Sequence, residues 1–103
     1  MGLFSFLFGK NAGTDLADLI AKGAFLVDVL TPGEFASGHV SGSVNIPLDR
    51  VRSEINKFKG KEHIIVFCRS GNRSRMAKGM LDAAGIKNVV NGGSWTRVKK
   101  FIG

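Results

Sequence analysis

The stretch His63-Ile64-Ile65-Val66-Phe67-Cys68-Arg69-Ser70-Gly71-Asn72-Arg73-Ser74 decides the fold. Ile64 to Phe67 is an unbroken apolar run. A strand without polar alternation is one buried on both faces, as in a parallel sheet. Cys68 to Arg73 then leads into a helix reaching about Ala84. Met76, Ala77, Met80, Leu81 and Ala84 mark its predicted buried face, and Gly85 ends it.

Reading outward, the same alternation recurs. Gly9 to Gly13 reads as a turn, and Thr14 or Asp15 is placed to cap the helix that follows. Leu16, Leu19 and Ile20 form that helix's apolar stripe, and Gly23 closes it. Ala24 to Val29 reads as a central strand containing Asp28. Pro32 suits the first position of a short helix through Ser37, broken by Gly38. Val44 to Ile46 reads as a short strand stopped by Pro47. Arg50 to Phe58 has helical spacing through Val51, Ile55 and Phe58. Ile86 to Val90 reads as the last strand, and Trp95 to Phe101 as a final helix. Strands alternating with helices give an α/β fold with a small, mostly parallel central sheet flanked by helices. Sheets of that kind bind ligands beyond the carboxyl ends of their strands, where Cys68 lies.

The loop from Cys68 to Ser74 has the make-up of a thiolate site. Gly71 permits a backbone conformation that other residues resist. Arg69 and Arg73 bring positive charge near the sulfur. The amides at the start of the next helix, and those of the loop, form a nest for an anion. Such surroundings lower a cysteine pKa from about 8.5 to roughly 3.5–7.5. The plainer alternative stays open at this level. Cysteine is often a small buried hydrophobe, Ser70 and Ser74 suit caps, and Asn72 suits a turn with or without a ligand.

Composition narrows the class. The 103 residues fit one domain. The hydrophobic fraction of 44% and charged fraction of 22% are those of a folded globular protein. The single cysteine excludes an intrachain disulfide and favours a reducing compartment. With His39 and His63 it makes no recognisable zinc set. Fifteen Lys+Arg against eight Asp+Glu give a net charge of +7, which attracts anions of several kinds. The basic clusters Arg50, Arg52, Lys57, Lys59, Lys61 and Arg97, Lys99, Lys100 carry no nucleic-acid-binding signature and read as solvated faces. Leu3 to Phe8 is apolar but far shorter than the roughly 20 residues of a membrane span. It is expected to pack on the domain or a partner, with weak membrane contact through residues 3–8 as the sharper alternative. The lack of a secretory leader points to a cytoplasmic location.

Four stretches together resemble a single-domain rhodanese, a thiosulfate sulfurtransferase of the rhodanese superfamily. They are Leu26-Val27-Asp28-Val29 with Glu34-Phe35; Gly38-His39-Val40-Ser41-Gly42-Ser43-Val44-Asn45-Ile46-Pro47; Ile64 to Ser74; and Val89-Val90-Asn91-Gly92-Gly93 with Trp95. The resemblance implies a rhodanese-like three-layer domain over residues 13–103, preceded by an apolar extension over 1–12. It identifies Cys68 as the nucleophile. Arg69, Ser70, Gly71, Asn72 and Arg73 become the rest of a six-residue loop that binds substrate. Asp28 matches a supporting aspartate, and Ser74 supports the loop from the helix. His39 looks architectural. Leu30 departs from the family pattern, standing where arginine usually follows the Asp-Val pair.

The activity implied is transfer of sulfane sulfur from thiosulfate or a similar small anionic donor to a thiol, protein or cyanide acceptor through a Cys68 persulfide. Neither metal nor organic cofactor is implied. Two other readings remain in view. One is a non-catalytic rhodanese-like binding module. The other is a cysteine-dependent phosphatase or arsenate reductase, although only four residues separate Cys68 from Arg73 where the related phosphatases carry five.

Overall fold

The computed structural model describes residues 12–102. Four strands lie in the order β2-β1-β3-β4, with β1 Phe25–Asp28, β2 Val44–Asn45, β3 Ile64–Cys68 and β4 Val89–Ser94. Every pairing among them is parallel. The helices are α1 Ala12–Ala21, α2 Pro32–Ser37, α3 Asn72–Ala83 and α4 Trp95–Lys99. This is the α/β, three-layer arrangement read from the sequence. The apolar segment 3–8 lies outside the described residues.

The reason for three layers is visible in β3. All five of its residues are buried. Ile64, Val66 and Cys68 join one apolar cluster with Val27, Val29, Leu30, Phe58, Ala77 and Leu81. Ile65 and Phe67 join a second cluster with Leu16, Leu26, Val40 and Val98. Side chains alternate across a strand, so β3 feeds both cores. Cys68 is directed to the α3 side.

Several boundaries differ from expectation. The helix α1 already includes Ala12 and Gly13, so the expected turn does not extend to Gly13, and Thr14 and Asp15 fall within its first turn. The segment 50–58 is not an α-helix. It forms two 3-10 pieces, Leu48–Arg50 and Arg52–Phe58, the second kinked at Glu54. The Ser53 hydroxyl donates to the Arg50 carbonyl, a local bond that competes with α-helical pairing. In α3 the buried residues are Ser74, Ala77 and Leu81, while Met76 and Ala84 are exposed. Ala77 and Leu81 lie as read and Met80 packs half-buried against the core; hydropathy missed the face's first member, the serine, and overextended to Met76 and Ala84.

The last strand starts later and runs further than expected. Ile86 donates its amide to the Leu81 carbonyl at 2.9 Å, and so belongs to the end of α3. Beyond Val90, β4 continues through Asn91-Gly92-Gly93-Ser94 with a register shift against β3. Val66 faces Asn91, but Phe67 faces Gly93, leaving Gly92 as the extra residue. A Cβ on Gly92 would come within 2.9 Å of both Ile65 and Val98, so only glycine fits there.

Candidate active site

Cys68 is the last residue of β3, and α3 begins at Asn72. The turn between them reverses direction at Gly71, whose φ of +97° is strained for any side-chain-bearing residue. Its Cα face also lies close to Gly93: an added Cβ would sit 3.4 Å from the Gly93 Cα. This conformation aims the Gly71 amide at the sulfur, with N to Sγ at 3.0 Å. The Ser74 hydroxyl oxygen is 3.6 Å from the same sulfur.

Cys68 is only 1% exposed. Burial by itself pushes the thiol pKa up. The Ser74 hydroxyl and the backbone amides of Ser74, Gly71 and Ser70 outweigh it, and the net direction is down from the ordinary value. Ser70 and Asn72 are exposed and line the outside of the turn. Their contribution at the sulfur is through the Ser70 amide.

The two arginines are not aimed at the sulfur as the sequence had suggested. Both face Glu34 on α2. Arg73 grips it with two hydrogen bonds, Nη1 to Oε1 at 2.8 Å and Nη2 to Oε2 at 3.1 Å. Arg69, 63% exposed, approaches it more loosely at 3.6 Å. Glu34 is fixed in turn by its own helix. Its Oε1 accepts from the Thr31 amide at 2.9 Å, and the Thr31 hydroxyl accepts from the Glu34 amide, completing a capping box. The Arg73 bonds, then the Thr31 amide, hold the Glu34 carboxyl down to about 2. The same pairing raises the pKa of Arg73. Sequence reasoning quoted Glu34 as part of a motif but gave it no role. Its signal was the Thr31-to-Glu34 capping pattern.

A second overlooked residue is Asn91. Its Oδ1 accepts from the Ser74 hydroxyl at 2.6 Å and from the Gly93 amide at 2.9 Å. Its Nδ2 donates to the Gly71 carbonyl at 3.2 Å. Asn91 thus ties β4 to two of the residues that meet the sulfur, Gly71 and Ser74.

Asp28 lies one strand away. It is fully buried, and its Oδ1 accepts from the Leu30 amide at 2.8 Å. Among the described residues its Oδ2 has no hydrogen-bond partner. Burial raises the Asp28 pKa, while the Leu30 amide works against the rise. Leu30 is fully buried in the core and supplies no charge for that carboxylate. Asn45 closes the same turn by donating to the carbonyls of Asp28 and Leu30. His39 stacks on Phe35 and bonds the Phe35 carbonyl through Nδ1, within its own turn. Among the described residues no group of three or more His, Cys, Asp or Glu is placed to hold a metal ion. No helix among them is long and apolar enough to cross a membrane.

Comparison with known proteins agrees with this fold. The sequence model of the Rhodanese-like domain matches residues 13–100. A putative mitochondrial thiosulfate sulfurtransferase of Schizosaccharomyces pombe is 34% identical over 88 residues, covering 72% of this chain and 62% of that protein. Thiosulfate sulfurtransferase 16, chloroplastic, of Arabidopsis thaliana is 35% identical over 96 residues, covering 78% and 80%. A putative sulfur carrier protein of Bacillus subtilis is matched over only 36% of its length. Among solved structures, the human single-domain sulfurtransferase TSTD1 superposes with a TM-score of 0.70 at 28% identity, covering 82% of this chain and 88% of that one. The Escherichia coli rhodanese with anions gives 0.66 at 30% identity, covering 73% and 91%. By its sequence, its four parallel strands and its cysteine turn, the chain belongs to the rhodanese-like family.

Proposed function

We propose that this protein is a sulfurtransferase that carries sulfane sulfur on Cys68. The observation that carries the reading is the Gly71 amide pointing at Sγ from 3.0 Å, at the start of α3. A donor placed there favours sulfur as an anion, the form that attacks. With thiosulfate, the Cys68 thiolate attacks the outer sulfur. A new S–S bond forms to Cys68, the donor's S–S bond breaks, and sulfite departs with its electron pair. The product is a terminal persulfide anion, which the same amides can hold. A thiol or cyanide acceptor, as its nucleophilic anion, then attacks the outer sulfur. The persulfide bond breaks and the Cys68 thiolate returns. No outside oxidant or reductant enters either step.

Relatives named as thiosulfate sulfurtransferases, and a related rhodanese solved with anions, support a small anionic donor. The acting unit in this reading is residues 13–103, with 1–12 as an extension able to touch a membrane surface through residues 3–8. Cosedimentation with anionic vesicles at low salt tests that contact. A reducing, cytoplasmic setting suits a thiol that must stay free.

Intact mass after incubation with thiosulfate tests the reading. The protein should gain the mass of one sulfur atom, and Cys68→Ser should gain nothing. The buried sulfur and the arginines occupied by Glu34 favour one rival, a non-catalytic binding module. Failure to take sulfur from a panel of sulfane donors would establish that rival instead.

A further inference from the structure

We propose that Asn91 is a positioning residue that sets the direction of the Ser74 hydroxyl hydrogen and, through it, how readily Cys68 holds its sulfur as an anion. The Ser74 hydroxyl has one hydrogen. It is directed at Asn91 Oδ1, 2.6 Å away, while the sulfur lies 3.6 Å from the same hydroxyl oxygen. The two acceptors therefore compete for it. With the hydrogen on Asn91, Ser74 can only accept from a neutral thiol. With the hydrogen turned to the sulfur, Ser74 stabilises the thiolate.

Two further bonds make this exchange inexpensive and local. Asn91 Oδ1 also accepts from the Gly93 amide at 2.9 Å, so it stays satisfied when Ser74 turns away. Asn91 Nδ2 holds the Gly71 carbonyl at 3.2 Å, and Gly71 is the residue whose amide meets the sulfur. One side chain on β4 thus reaches two of the groups that meet Sγ, the Ser74 hydroxyl and the Gly71 peptide. Among the described residues, the titratable and charged groups on the elements packed around the Cys68 turn include Arg69 in the turn, Arg73 on α3, Glu34 on α2 with His39 beyond that helix, Asp28 at the end of β1, and Arg97 on α4 against the Gly92 carbonyl. None of them is altered in the variants that follow.

The test is the pH dependence of Cys68 alkylation by iodoacetamide in the full chain. Asn91→Asp keeps the shape and the acceptor and binds the Ser74 hydrogen more firmly; it also loses the Nδ2 bond to the Gly71 carbonyl and adds a negative charge, two effects that persist without Ser74 and that the Ser74→Ala background therefore subtracts. Its midpoint should rise by about one pH unit, a tenfold loss of thiolate below both midpoints. In a Ser74→Ala background the same change should move the midpoint by less than half as much. Asn91→Ala frees the hydroxyl, so its midpoint should fall, and only when Ser74 is present. An unmoved midpoint in Asn91→Asp, or a rise at least half as large without Ser74, overturns the proposal. If Asn91→Ala does not fold, the isosteric pair decides alone. The inference rests on Cys68 as the reactive group, but alkylation reads that thiol whether or not sulfur moves. Failure of sulfur uptake therefore sinks the transferase reading and leaves this measurement standing.

Discussion

The two sides of the Cys68 turn are built from different chemistry. The inner side surrounds the sulfur with neutral groups: the Gly71 amide and the Ser74 hydroxyl, both braced by Asn91. The outer side carries the formal charges, but Arg69 and Arg73 spend theirs on Glu34. Counting arginines near a cysteine therefore overstates their direct action on the sulfur. Fixed dipoles on the inside tune the thiol. The ion cluster on the outside holds the start of α3 against α2.

The sharpest way to break this contrast is at Gly71. Replacement by alanine strains a residue at φ +97°, with its Cβ in ordinary contact with Gly93. Stability should fall by about 1–3 kcal/mol, and alkylation of Cys68 at neutral pH should slow by an order of magnitude or more as its amide donor shifts. Denaturant midpoints and alkylation rates measure the two effects separately. Gly92→Ala strikes the floor beneath the inner side without touching the sulfur. Its Cβ would press on Ile65 and Val98, which should cost about 1–3 kcal/mol while leaving the alkylation midpoint in place.

The outer side should answer mainly to acid. The Glu34 carboxyl is depressed from 4.5 to about 2 in the folded chain. Its contribution is thus fully present above pH 4.5 and is lost as pH falls through about 2. Glu34→Gln keeps the capping geometry, because glutamine also suits that position. The wild-type advantage in melting temperature over Glu34→Gln should be constant above pH 5 and vanish near pH 2. Cys68 alkylation should change far less in this variant than in Asn91→Asp. A larger change in Glu34→Gln would show that charge, not the inner donors, governs the thiol.

The smallest effect is expected at Asp28, whose folded pKa is raised by burial. Here the sign reverses. Its contribution is present below the ordinary value of 3.8 and is lost as pH rises through the folded value. Asp28→Asn should therefore gain stability relative to the wild type as pH increases. Melting curves of the two proteins across that range measure the trend.

Much of this was readable from sequence. The unbroken run Ile64 to Phe67 announced a strand buried on both faces, and Gly71 announced the turn. Pro32 and Gly38 bounded α2 correctly. What escaped depended on partners distant in the chain. Arg73 meets Glu34 across 39 positions, and Ser74 meets Asn91 across 17. No local pattern states such pairings. Ser74 also hid the start of the buried face of α3, because a hydroxyl satisfied by tertiary contacts looks like a surface residue in a hydropathy pattern. Likewise, the strand read as ending at Val90 continues through Asn91-Gly92-Gly93, whose glycines carry an irregular stretch of it.

The extra residue at Gly92 adds chain length to side-chain identity as a requirement in β4. Asn91 faces Val66 before the irregularity, and Ser94 faces Cys68 after it. Deleting Gly92 would even out the ladder and leave Gly93 opposite Phe67 and Ser94 opposite Cys68. What it would remove is the spacing that lets the Asn91 side chain reach the Gly93 amide two residues on while it holds Ser74 and Gly71. A library of single-residue deletions and insertions in this segment should accordingly disturb the Cys68 turn more than the sheet.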